Sequence, residues 1–237
     1  MARRFELLAG LIRCFAHDTK SFHSMIVSNR QNFVFVHIFK TAGTSVKRAL
    51  RRHAMPMWQE PANHLLKRIG VPQFGPKHYP DHMTASDLIK QTSLEHFNSK
   101  FSFAFVRNPW DWELSHYKYI LLHPRHEFHD EVRRLGKFSE YVRWRCDRRF
   151  RLQRSFLVHD GQRVVDFVGR FENIDADFQK VAQRLNISLK LKRLNQTRRT
   201  IYQRHYDAKA TELIAVAYQA DIAEFGYQFE PQRESAA

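Results

Sequence analysis

The sequence predicts a single α/β domain with a largely parallel sheet flanked by helices. Strand-like and helix-like segments alternate through most of the chain, which is the pattern of such folds. The strand-like segments are short and almost continuously apolar, which is typical of strands covered on both faces. The 237 residues contain no internal repeat and no linker. We therefore expect one domain over residues 28–232, preceded by a basic N-terminal extension at residues 1–27.

The first strand–helix unit has the pattern of a phosphate-binding loop. Residues 33–38 predict a buried strand, residues 40–45 read KTAGTS, and residues 46–53 predict a helix. A glycine-containing turn with lysine and hydroxyl groups suits an anion, because free N–H groups and the helix dipole both face the turn. The alternative is an ordinary strand-to-helix turn with an exposed lysine.

The order of residues in this loop differs from that of a Walker A motif. Lys40 precedes Gly43, whereas GxxxxGK[ST] places lysine after the glycines. ATP or GTP hydrolysis with a loop-bound Mg²⁺ is therefore disfavoured, and no metal is predicted.

A second unit of the same kind follows. Residues 101–106 predict a strand and residues 110–122 a helix, with Pro109 at its first turn. Arg107 ends the strand, and Ser115 follows two turns into the helix. An arginine fork and a hydroxyl can hold a second phosphate, so a nucleotide phosphorylated at two places would span both loops. Taken separately, the alternatives are an ion-paired or capping arginine and a surface serine.

The remaining elements complete the alternating pattern. Thr84 and Asp87 have the spacing of a capping box at the start of a short helix. Further predicted segments are helices over 137–149, 175–185 and 208–225, and a strand over 164–168.

The charge balance indicates an anionic partner. The chain carries 39 Lys and Arg against 24 Asp and Glu, a net charge of +15. Nucleic acid, an acidic membrane, an anionic cofactor and a polyanionic substrate all fit that charge. Cys14 and Cys146 form no disulfide or zinc pattern.

The apolar runs are too short to span a bilayer, and the N-terminus is a poor signal peptide. These features predict a cytoplasmic protein. Residues 1–15 have the character of a short basic amphipathic helix, which would permit peripheral contact with an acidic membrane surface.

The two loops together resemble the paired cofactor loops of one enzyme family. FVHIFKTAGTS followed by FAFVRNPWDWELSHY is similar to sulfotransferases that use 3′-phosphoadenosine 5′-phosphosulfate (PAPS), in the branch of carbohydrate and heparan 2-O-sulfotransferases and their bacterial relatives. The likeness spans residues 33–229. It implies a P-loop NTPase-like sulfotransferase fold, PAPS as sulfuryl donor, no metal, and an acceptor hydroxyl, most often of a carbohydrate, rather than a nucleic acid. Weaker likenesses lie at residues 169–173, 195–198, 206–207, 221–222 and 225–227.

The resemblance also implies roles for individual residues. Lys40 would contact the phosphosulfate and its bridging oxygen, and Arg107 and Ser115 would hold the 3′-phosphate. His82 resembles the base that activates the acceptor, with His78 as its rival. Arg198 would close a polar loop over the 3′-phosphate. The residues that would wrap the 5′-phosphate are Thr41, Ala42, Gly43, Thr44 and Ser45.

One residue of the loop departs from the family pattern, since Phe39 stands where relatives usually have proline. The exchange alters the stiffness of the loop entrance.

Other assignments stay open at this stage. An atypical P-loop kinase would require Mg²⁺ and bind ATP, and a basic polyanion-binding protein would bind no cofactor. The arginines of residues 143–154 suit a nucleic acid, an acidic glycan or simply a solvated helix face. His123, His126 and His129 suit a solvated loop better than a metal site. The sequence does not identify the acceptor, because acceptor pockets are built from variable loops.

Overall fold

The computed structural model describes residues 25–54, 65–66, 79–80, 82–148, 150–189, 191 and 201–229. Its central sheet has four strands in the order β1 (Ile26–Ser28), β2 (Phe33–Val36), β3 (Phe101–Val106) and β6 (Phe167–Arg170). The strands β4 (Val158–His159) and β5 (Gln162–Arg163) form a separate two-stranded hairpin.

Helices pack on both faces of this sheet. Within the described ranges the α-helices in chain order are α1 (Gly43–Ala54), α2 (Ala85–Gln91), α3 (Leu94–Asn98), α4 (Pro109–Leu122), α5 (His129–Leu135), α6 (Phe138–Cys146), α7 (Ile174–Arg184), α8 (Ala208–Ala217) and α9 (Gln219–Phe225). Short 3₁₀ turns lie at Arg154–Phe156, Phe171–Asn173 and Tyr202–His205.

The sheet is mainly parallel, as the sequence predicts. The strands β2, β3 and β6 run parallel, and only the edge strand β1 is antiparallel. The edge strand lies at the junction expected between the N-terminal extension and the domain. Because the strands β2 and β3 both end at one edge of the sheet, the loops that follow them, with Lys40 and Arg107, lie side by side.

Alternating side chains divide the core into two layers. On one face of the sheet, phenylalanines of β2 and β3 pack against α1 and α7. Phe35 and Phe103 stack there with ring centroids 5.2 Å apart. On the other face, smaller residues such as Val34 and Ala104 join the larger cluster built with α2, α4, α6 and α8. The two-residue period of a strand thus lets both faces of the sheet pack against helices, as expected for the predicted parallel sheet flanked by helices.

Two predicted boundaries are wrong for identifiable reasons. The strand expected at 164–168 begins only at Phe167, because the Asp166 carboxylate accepts the Ser102 N–H at 2.8 Å where a ladder bond would otherwise form. The helix expected over 208–225 divides at Tyr218, whose backbone angles, φ −107° and ψ 17°, are not helical. The capping box at α2 is confirmed, with reciprocal bonds of 3.0 and 3.1 Å between Thr84 and Asp87.

None of the helices in the described ranges has both the length and the apolar character needed to cross a lipid bilayer.

Candidate anion-binding and transfer site

The loop after β2 forms a concave backbone turn. Lys40 and Ala42 have positive φ angles of 63° and 65°, and Thr41 lies between them. Thr41 is buried, and its Oγ1 donates to the Ile38 carbonyl at 2.8 Å, which fixes the turn. Alternation of left-handed and right-handed residues points successive N–H groups to one side, and this makes an anion-binding concavity. The first turn of α1 adds N–H groups that no intrahelical carbonyl can accept.

Glycine is the only residue type that fits at position 43, the first residue of α1. A Cβ atom there would lie 1.8 Å from Nε2 of His37, the buried residue that follows β2. His37 in turn has its ring centroid 4.6 Å from that of His82. The glycine thus permits the helix start, His37 and the candidate base His82 to lie in contact.

Arg107 connects the second loop to the first. Its Nη1 donates to the Lys40 carbonyl at 3.1 Å, and its Nε donates to Asp111 at 2.8 Å. The guanidinium also lies 4.1 Å from the centroid of the Phe171 ring. The buried Gln153 clamps the backbone, accepting from Arg107 N–H at 2.8 Å and donating to its carbonyl at 2.7 Å. The structure therefore brings the two loops together and holds Arg107 rigidly between them.

Lys40 is an unusual cation. Burial, and secondly the positive charge of Arg107, lower the pKa of Lys40 to about 8. Its ammonium lies 4.2 Å from the centroid of the Tyr119 ring. Two cations are thus held close together at a concave turn, and an anion bound between them would relieve their repulsion.

His82 lies at the edge of the same loop. Its φ is 57°, and its Nδ1 is 3.3 Å from the His37 carbonyl oxygen. Its ring centroid is 5.6 Å from that of Phe39, and its own carbonyl accepts from Arg151 at 3.5 Å. The structure thus places the predicted base beside the turn that carries Lys40.

The other predicted site residues are less informative. Ser115 lies partly buried on α4, two turns after Arg107, and Thr44 and Ser45 lie in the first turn of α1. Arg198 and the rival base His78 lie outside the described residues.

Phe39 is the residue around which the loop entrance packs. The Trp112 indole donates to the Phe39 carbonyl at 2.6 Å, and the two ring systems lie 4.5 Å apart. His116 contacts the same phenyl ring, with centroids 5.2 Å apart. Sequence reasoning missed Trp112, His116 and Gln153, because the local sequence around them does not predict that they lie near the loops of the candidate site.

The basic stretch at 143–154 is largely neutralised within the chain. Four of its arginines contact carboxylates at 2.5 to 3.2 Å, which weakens its candidacy as a polyanion-binding stripe. The pairs are Arg143–Glu140, Arg145–Glu113, Arg148–Glu131 and Arg154–Glu224.

The part of the chain that the structure describes contains no cluster of three or more potential metal ligands. His123 and His129 lie with their Nδ1 atoms 2.7 and 2.9 Å from the carbonyl oxygens of Tyr119 and Ile120. At His126, Nδ1 accepts from the Phe128 N–H at 3.2 Å.

Two adjacent loops at one end of a parallel sheet, each with a cation and with a histidine beside the first, are typical of an α/β protein of the group-transfer class. The family model described as "Sulfotransferase family" matches residues 23–228. The chain therefore belongs to the sulfotransferase family. Its fold is consistent with the sulfotransferase fold, and its general activity is sulfuryl transfer. A search of curated proteins and a search of solved structures each gave no match.

Proposed function

We propose that the protein transfers a sulfuryl group from PAPS to an acceptor hydroxyl, and that the acceptor is a carbohydrate. The observation that carries this proposal is the bond from Arg107 Nη1 to the Lys40 carbonyl at 3.1 Å. It joins the two loops whose resemblance to PAPS-binding loops is strongest. A donor with phosphate groups at both its 5′ and 3′ positions suits two adjacent anion-binding loops better than a nucleotide with one phosphate chain.

The residues present fit such a donor. The positive-φ turn at Lys40 and Ala42 and the N-terminus of α1 suit the 5′-phosphate, which the N–H groups of residues 41–44 would hold, since the Ser45 N–H donates to the Ala42 carbonyl at 2.9 Å. Arg107, fixed by Gln153 and Asp111, would hold the 3′-phosphate together with Ser115. Arg198 would add to that side. The donor supplies the sulfuryl group.

Lys40 is placed to stabilise the charge that develops in the reaction. Sulfuryl transfer increases the negative charge on the leaving phosphate, so a fixed cation beside it lowers the barrier. The partly desolvated ammonium of Lys40 interacts more strongly with such charge than a solvated one would.

On the acceptor side, His82 would accept the proton of the attacking hydroxyl. An imidazole suits this role because its ordinary pKa lies near neutral pH. Its contacts with His37 and Phe39 direct it towards the loop of Lys40.

The test is calorimetric binding of 3′-phosphoadenosine 5′-phosphate (PAP) without metal. We expect wild-type protein to bind PAP, and Arg107→Ala to weaken binding at least about tenfold, since a charge-assisted contact contributes more than about 1.4 kcal/mol. Arg143→Ala is the matched control, because that arginine pairs with the half-exposed Glu140 on α6 and its loss should leave affinity unchanged.

Absence of PAP binding by folded wild-type protein would refute the proposal. Mg²⁺-dependent binding of ATP in its place would indicate a kinase instead.

A further inference from the structure

A partly buried histidine on α4, His116, lies next to the candidate site. Its side chain is 14% exposed, and its ring contacts that of Phe39. Tyr119, three residues later, lies under the Lys40 ammonium. Because residues three apart in a helix share one face, His116 faces the loop of Lys40.

A chain of hydrogen bonds fixes the tautomer of this imidazole. The Tyr141 hydroxyl donates to Glu113 at 2.6 Å, and a phenol has only one proton to donate. The contact between Tyr141 Oη and His116 Nδ1, at 3.1 Å, must therefore be donated by the imidazole. Nδ1 carries the proton, so Nε2 presents a lone pair.

The direction of this chain depends on an ionised Glu113. Burial raises the pKa of this carboxyl, but the charge of Arg145 and the hydroxyls of Tyr141 and Tyr218 hold it below the usual value. Arg145 Nε lies 3.2 Å from the carboxylate. An ionised carboxylate only accepts hydrogen bonds, which excludes the reverse arrangement.

Burial, more than the charges around it, keeps the His116 ring neutral. Burial lowers the pKa of His116 to about 4 against the opposing attraction of Glu113, and the charges of Arg145, His126 and Lys40 lower it further. A neutral ring with Nδ1 protonated is a fixed hydrogen-bond acceptor at Nε2.

We propose that His116 binds the acceptor: Nε2 accepts a hydrogen bond from a second hydroxyl of the acceptor, while His82 takes the proton of the reacting one. The proposal rests on the function proposed above and narrows its acceptor to polyhydroxylated compounds. Both histidines contact the ring of Phe39, so one molecule with several hydroxyls can reach both. A neutral acceptor nitrogen favours a hydroxyl and disfavours a carboxylate or phosphate at this position.

The experiment compares two substitutions that each keep half of the imidazole. In His116→Asn the amide replaces Nδ1 and can still donate to Tyr141, but nothing replaces Nε2. In His116→Gln the longer side chain places its amide oxygen near the position of Nε2, and the bond to Tyr141 is lost. Transfer of labelled sulfuryl group from PAPS to methyl β-D-glucopyranoside is measured for each, together with PAP affinity.

We expect His116→Asn to lower the transfer rate at least about tenfold and His116→Gln to stay within about threefold of wild type, with PAP affinity the same in all three. The opposite ranking would show that His116 only supports Tyr141, and it would overturn the proposal. Equal transfer rates for the two variants would overturn it too, because Nε2 would then make no difference. No transfer to the probe by a wild type that binds PAP would overturn the polyhydroxylated acceptor. Absence of PAP binding by the wild-type protein would instead refute the proposed function.

A second measurement needs no turnover. In long-range ¹H–¹⁵N spectra of histidine-labelled protein, His116 is assigned by its absence from the His116→Asn spectrum. We expect Nδ1 to be protonated and Nε2 unprotonated at neutral pH, and Tyr141→Phe to remove this preference. A protonated Nε2 in the wild type would overturn the proposal.

Discussion

The substitution Gly43→Ala tests how the glycine at the start of α1 holds the site together. A Cβ at this position would lie 1.8 Å from Nε2 and 1.9 Å from Cδ2 of the His37 ring. Ordinary contacts begin at about 3.4 Å, so the ring would have to move by more than about 1 Å. His37 is buried between Phe35 and His82, with ring centroids 5.9 and 4.6 Å away. A movement of His37 therefore displaces His82.

Because the overlap is deep, the expected cost lies in the upper part of the range for overpacking a filled core, about 2–3 kcal/mol. Alanine recovers at most about 1 kcal/mol as the better helix former, so we expect a net loss of about 1–2 kcal/mol. For a chain of this length the melting temperature should fall by about 2–8 °C. Thermal unfolding followed by circular dichroism measures the change, and calorimetry should show weaker PAP binding because the loop is displaced.

A double-mutant cycle separates the clash from other effects of the alanine. In a His37→Ala background the methyl group has room, so the cost of Gly43→Ala should fall to near zero. If Gly43→Ala costs as much in that background as in the wild type, or if it leaves both stability and PAP binding unchanged, the reasoning is wrong.

Three further outcomes follow from the same geometry. Because Lys40 has a lowered pKa of about 8 and a bound anion favours its ammonium form, PAP affinity should fall as pH rises through about 8. The number of protons taken up on binding should increase over the same range, as measured by calorimetry in buffers of different ionisation enthalpy. Lys40→Arg should remove this pH dependence. Gln153→Leu removes both bonds to the Arg107 backbone and should cost about 1–3 kcal/mol in urea unfolding, with PAP affinity lowered several-fold. Glu113→Leu leaves Arg145 buried without its carboxylate and should destabilise the protein by about 3–5 kcal/mol, measured by urea unfolding.

The sequence predicts those parts of the site that depend on local pattern. A buried strand followed by a turn with Lys40 and Gly43 predicts the first loop, and the second strand with Arg107 predicts its neighbour. Adjacent parallel strands then dictate that the two loops meet, which the bond between Arg107 and the Lys40 carbonyl bears out. The capping box at Thr84 follows from an equally local rule.

The groups that hold these residues could not be predicted, because they come from distant segments. Gln153 reaches the Arg107 backbone across 46 residues, and Tyr218 reaches Glu113 across 105. No periodicity or motif connects such pairs in a single sequence.

Phe39 shows how tertiary packing can replace a local constraint. Proline, expected there from the family resemblance, would stiffen the loop entrance by fixing φ. Phe39 has no such restriction, but its carbonyl accepts from the Trp112 indole and its ring contacts both His82 and His116. The entrance is therefore held by α4 rather than by its own backbone. Because the same ring lies against both histidines, the residue that orders the donor loop also positions the acceptor-side groups, and exchange of Phe39 would disturb both sides of the reaction together.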